Sequence, residues 1–128
     1  MEMLHHAVNW FEIPVSDFER ARAFYSRIFD FDMPEMTFGT VRMGILLHDR
    51  EKGGIGGAIV HNGEHYTPSA DGTKVYLNGG RDLGLVLDRV PGAGGEVLIP
   101  KRMIAPGMGF MALFKDSEGN VLALQSPE

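Results

Sequence analysis

Cysteine is absent from all 128 residues. Its absence excludes disulfides, a thiolate nucleophile and a cysteine zinc site, and it suits a reducing cytoplasm. Clustered positive charge is missing as well. The net charge is −5 and the lysines and arginines are scattered, which argues against nucleic acid as a partner. The N-terminus carries no long apolar run and no cleavage pattern, so neither a signal peptide nor a membrane span is expected. No Gly-x-Ser-x-Gly elbow occurs. The run Gly53-Gly54-Ile55-Gly56-Gly57 lacks the spacing and the following helix of a phosphate loop. A strand whose backbone closely approaches a ligand or another strand explains it better. Apolar content is ordinary, so residues 1–128 read as one compact soluble domain.

What is present is a duplication. In NWFEIPVSDFERARAFYSRIFDF (9–31), Phe11, Ile13 and Val15 alternate against Trp10, Glu12 and Pro14, as in a strand with two unlike faces. The apolar face should pack under a helix. The mixed face must look into something else, because a buried Glu12 without partners would be costly. Ser16, with Glu19 three residues on, reads as a capping box. Phe18, Ala21, Tyr25 and Ile28, with Phe24 beside them, then form an apolar stripe at helical spacing.

TKVYLNGGRDLGLVLDRVPGAGG (73–95) repeats that order. Val75 and Leu77 face the helix, leaving Lys74, Tyr76 and Asn78 on the other side. Leu83, Val86, Leu87 and Val90 follow at i, i+3, i+4, i+7, and Pro91-Gly92 should end the helix. The offset of roughly 65 residues exceeds the usual solenoid period, so the chain reads as a paired domain. Module one covers about 7–61, a Gly- and Pro-bearing linker 62–72, and module two about 73–126.

Each module should add three strands to its first strand and helix. In the first these are 35–39, 40–48 and 55–60, with a polar turn at 49–54; in the second they are 96–101, 109–115 and 121–125. In the turn 116–120, Gly119 supplies a left-handed position. His5 and His6 are adjacent and would point to opposite faces of a strand, so residues 1–7 read as a loose terminus. His61 and His65 are four apart, but Gly63 and Pro68 argue against the helix that a metal pair would need.

The segments FEIPVSDFERARAFY, YTPSADGTKVYLN, LDRVPGAGGEVLIPK and FKDSEGNVLALQSP resemble the vicinal oxygen chelate superfamily. That group contains glyoxalase I, fosfomycin and bleomycin resistance proteins and extradiol dioxygenases. The resemblance is closest to small glyoxalase-like proteins described as related to lactoylglutathione lyase. It implies an α+β fold of two tandem βαβββ modules, forming an incompletely closed eight-stranded barrel with the helices outside. It also implies a homodimer, with barrels formed within or between chains.

Carried onto this sequence, the superfamily's metal-ligand positions fall on Trp10, on Gly56 or Gly57, on Lys74 and on Ala123. None is a histidine or carboxylate, so no metal and no other cofactor is expected. Trp10, Glu12, Lys74, Tyr76, Asn78, Ala123 and Gln125 should converge on the concave face. Trp10, Lys74, Tyr76, Asn78 and Gln125 are the candidate ligand contacts, with Trp10 placed to stack on a planar ring. Glu12 is the candidate catalytic group, a general base if proton abstraction occurs, and it should form an ion pair with Lys74. Three readings stay open: a metal-free binder of a small organic molecule, a metal-dependent lyase or dioxygenase, and a dimeric interaction module with a filled barrel.

Overall fold

A computed structural model describes residues 1–128. Module one contains β1 (Trp10–Pro14), α1 (Phe18–Ile28), β2 (Glu35–Phe38), β3 (Val41–Ile45) and β4 (Gly56–His61). Module two contains β5 (Tyr76–Asn78), α2 (Gly84–Leu87), α3 (Val90–Ala93), β6 (Glu96–Met103), β7 (Phe110–Lys115) and β8 (Val121–Ser126). The strands form two four-stranded sheets, ordered β1-β4-β3-β2 and β5-β8-β7-β6. In each, the first and last strands of the module run parallel and the remaining pairs are antiparallel. The fold is α+β with two modules, and no hydrogen-bonded pairing joins one sheet to the other, so β1 and β5 are both edges.

One core serves both modules. Ile13 of β1 and Val15 just after it are buried with Ile59 of β4 beneath the stripe of α1: Phe18, Ala21, Phe24, Tyr25 and Ile28. The same cluster continues into Leu77, Leu83, Val90, Phe114, Leu122 and Leu124 of module two. Phe24 stacks on Phe114 with ring centroids 6.2 Å apart. Tyr25 reaches across to donate a 2.7 Å hydrogen bond to buried Asp116. A first helix that buries its face against both sheets explains why neither half has a separate core.

Three local expectations change. The cap of α1 is Asp17, which accepts from the Arg20 N–H at 3.0 Å. Ser16 and Glu19 do not close a box: Ser16 gives its N–H and hydroxyl to Glu118, and Glu19 pairs with Arg42. The second module has no single helix over 83–90. Two one-turn helices replace it, with Pro91 in the first turn of α3, where its missing N–H costs nothing. β5 is also short, beginning at Tyr76, so Lys74 precedes it. Gly119 does adopt the left-handed conformation, at φ +90°.

Candidate functional site

The parallel register of β1 and β4 sets Trp10 beside Gly56 and Glu12 beside Ala58. Small neighbours leave room above them. A side-chain carbon at Gly56 would overlap the His48 ring, and one at Gly57 would overlap Phe11. The glycine run is therefore where two rings lie directly on backbone, as close approach predicts. Trp10 meets His48 edge to face, with centroids 6.4 Å apart and planes at 77°. Trp10 remains 41% exposed.

Glu12 is half-buried and fully engaged. One carboxylate oxygen accepts from the Trp10 indole N–H at 3.3 Å, and the other accepts from the Tyr66 hydroxyl. The bond to Glu12, with some desolvation, holds the Tyr66 phenol above its ordinary pKa. The expected pair between Glu12 and Lys74 does not form. Lys74 Nζ instead donates to the carbonyls of Ala70 at 2.8 Å and Gly72 at 3.0 Å, tying down the end of the linker. Tyr66 sits in that same linker, a position whose composition signalled only a turn.

In module two, the register places Tyr76 beside Ala123 and Asn78 beside Gln125. Tyr76 is 53% exposed. Asn78 Oδ1 accepts from the Gly80 N–H at 2.9 Å, and Gln125 Nε2 lies 3.5 Å from the Met108 carbonyl. These side chains border a hollow of about 710 Å³ closed by Met103, Met108 and Phe110.

A larger cleft, about 1060 Å³, runs along the seam between edges β1 and β5. Trp10, Lys74, Tyr76 and Asn78 line it together, over a floor that includes Phe11, Phe29, Leu46 and Val86. Gln125 lines only the smaller hollow, and Glu12 lines neither. Four of the six candidate residues thus share one cleft. Its walls are mostly apolar, with a few polar groups at the edge, the usual makeup of a small-molecule site. Sequence reading missed Arg89, which also lines the cleft and is half-buried. Its only sequence signal was a position just off the apolar stripe.

The side chains present do not fit the superfamily's divalent ion. Of the carried-over positions, Trp10 and Gly56 are register neighbours, whereas Ala123 is paired with Tyr76 and not with Lys74, which precedes the strand; none of these side chains is a histidine or carboxylate. Nowhere do three His, Asp or Glu side chains gather so as to hold a metal ion. A catalytic ion needs about three such ligands.

A family model described as Glyoxalase/Bleomycin resistance protein/Dioxygenase superfamily matches residues 4–124. A "Glyoxylase-like domain-containing protein" of Didymella fabae is 30% identical over 124 residues, covering 95% of this chain and 94% of its own. Among solved structures, TnmS3, an antibiotic binding protein from Streptomyces sp. CB03234, aligns over 99% of this chain and 100% of its own, with TM-score 0.68 and 25% identity. A glyoxalase I variant from Zea mays shares the fold at TM-score 0.70 and 13% identity, over 91% of this chain and 44% of its own.

Proposed function

Because the chain belongs to the glyoxalase/bleomycin resistance protein/dioxygenase superfamily, we propose that it binds a small, flat organic molecule in the seam cleft without a resident metal ion. The observation that carries this reading is the cleft itself: about 1060 Å³ walled by Trp10, Tyr76, Phe11 and Val86. Trp10 and Tyr76 offer exposed aromatic faces for stacking. Asn78 adds a hydrogen-bonding group at the edge, while Gln125 faces the smaller neighbouring hollow. The likeness to TnmS3, an antibiotic binding protein, supports binding rather than turnover as the task.

Glu12 enters this reading as a positioning group. With one oxygen on Trp10 and the other on Tyr66, it fixes the indole against the cleft. Burying about 150 Å² of ring surface is worth roughly 4 kcal/mol before the cost of association, so stacking alone holds a ligand no tighter than about 1 mM and the remaining contacts must supply the rest. Pairing of two copies belongs to the same proposal. Met36, Phe38, Met103 and Met108 are exposed, and a second copy would cover such surfaces. The absence of cysteine fits a cytoplasmic setting.

Trp10 is the sole tryptophan, so its fluorescence reports the cleft directly. Titration of metal-stripped protein with polycyclic aromatics should quench it saturably, and Trp10→Ala should weaken binding, followed by calorimetry, about 30-fold. Binding or turnover that appears only after a divalent metal is restored would overturn the reading in favour of a lyase or dioxygenase. Sedimentation of the purified protein tests the pairing: a monomer at all concentrations would remove it.

A further inference from the structure

The seam cleft holds cations that the chain leaves unbalanced. Five of its lining residues are charged: Lys74, Arg81, Asp82, Arg89 and Glu128. Both acids are already taken, Asp82 by Lys101 at 2.7 Å and Glu128 by Arg81 at 3.1 Å. Lys74 and Arg89 take part in none of the protein's ion pairs. That pattern stands out in a chain whose net charge is −5.

Arg89 is the informative one. It sits between α2 and α3, half-buried, where Phe29 and Val86 also line the cleft. A partly buried charge against apolar walls ordinarily has a counter-charge, because desolvation costs more than packing returns. The Arg89 side chain makes a single hydrogen bond, from Nη1 to the Ile28 carbonyl at 3.0 Å, and so uses one of the five N–H donors of its guanidinium. That contact clasps the C-terminal end of α1 to module two. Arg27 makes a similar clasp from α1 to the Gly92 carbonyl in an exposed position. Joining the helices therefore does not account for a second guanidinium placed at the cleft.

Resting on the binding reading above, we propose that the ligand is a planar aromatic acid, whose anionic group (carboxylate, phenolate or sulfonate) is held by Arg89 while its rings lie against Trp10 and Tyr76. Guanidinium suits this role because its planar fork pairs with carboxylate or sulfonate oxygens through two parallel bonds. Lys74 stands at the same cleft with a charge that no carboxylate neutralises, and it adds to the field that draws an anion in.

The test uses two dyes that differ in one anionic group: 8-anilino-1-naphthalenesulfonate and neutral N-phenyl-1-naphthylamine. Energy transfer from Trp10 reports that each dye binds, and displacement of one dye by the other shows that they share a site. The sulfonate should bind the wild-type protein about tenfold more tightly than the neutral dye, and a rise to about 0.5 M KCl should erase most of that gap. Arg89→Gln should weaken the sulfonate about tenfold and move the neutral dye less than about twofold. Arg89→Lys should keep part of the preference, because the charge remains.

Equal affinity of the two dyes for wild-type protein overturns the inference and leaves the binding reading standing. So does a preference that Arg89→Gln and salt leave untouched. Failure of both dyes to show transfer from Trp10 removes the binding reading and this inference with it. The wild-type comparison and its salt dependence decide the matter even if Arg89→Gln does not fold.

Discussion

Glu118, at the tip of the last turn of module two, holds Arg20 on the first helix of module one through bonds of 2.7 and 3.1 Å. The same carboxylate accepts from the backbone N–H of Asp17 at 2.7 Å and of Ser16 at 3.0 Å. It therefore serves as a second cap on α1, supplied from about a hundred positions away, and fastens one module to the other at the helix's positive end.

Burial of Glu118 opposes its ionisation, but the bonds from Arg20, Asp17, Ser117 and Ser16 outweigh it and lower its pKa to about 2. A carboxylate whose folded pKa is depressed stabilises the protein above the ordinary carboxylate range, and that stability is lost as pH falls toward the folded value. Wild-type protein should therefore lose stability between about pH 4.5 and pH 2. Glu118→Gln should be less stable at neutral pH by about 2 kcal/mol, since exposed Arg20 can turn to water, and its pH slope should be shallower. Denaturant melts across that range measure both, and an unchanged slope would sink the assignment.

Asp116 shows the opposite balance. Its carboxyl is driven up by burial, partly offset by Tyr25, Asn120 and two backbone N–H groups. Tyr25→Phe removes one donor from this buried cluster and should cost about 1–3 kcal/mol at neutral pH. A protonated Asp116 needs fewer donors, so the penalty should shrink at lower pH. Chemical unfolding of the variant at two pH values checks both statements.

Gly57 lies under the Phe11 ring, which lines the seam cleft. Gly57→Ala should force that ring aside, costing about 1–3 kcal/mol. Because the ring has the cleft on its open side, dye affinity should fall as well. A variant that is destabilised but binds normally would show that Phe11 moves elsewhere.

Tyr66 donates its hydroxyl to Glu12, and that bond leads the causes that raise its pKa. Replacing Glu12 by Gln should bring the Tyr66 phenol back toward the ordinary value. Ultraviolet absorbance titration should show one of the three tyrosines ionising earlier in the variant. The same change replaces the charged acceptor of the Trp10 indole N–H with at most a neutral one, so its emission should shift if Glu12 is the group that holds it.

The repeated β-α-β-β-β order was legible because periodicity is local. Ile13 and Val15 alternate against Glu12, and Phe18, Ala21, Tyr25 and Ile28 fall on one helical face whatever surrounds them. Trp10, Tyr76, Lys74 and Asn78 could be placed near one another for the same reason, once two strands were matched to one another. The second helix was less legible. Its apolar spacing is helical, yet the run breaks at Asp88-Arg89 into two single turns, with Pro91, which has no N–H to donate, in the first turn of the second.

Partner choice is what local pattern does not carry. Lys74 and Glu12 have opposite charges and were expected to meet. Carbonyls of Ala70 and Gly72 lay closer to the lysine, and a linker tyrosine closer to the glutamate. Asp17 rather than Ser16 caps α1 because Glu118 claims the serine from across the molecule. Sequence alone settled which residues alternate and which carry charge, since those properties belong to single side chains and their spacing. Only the tertiary fold decided which donor meets which acceptor and which cation is left without one, because those outcomes depend on distances between segments the chain brings together from far apart.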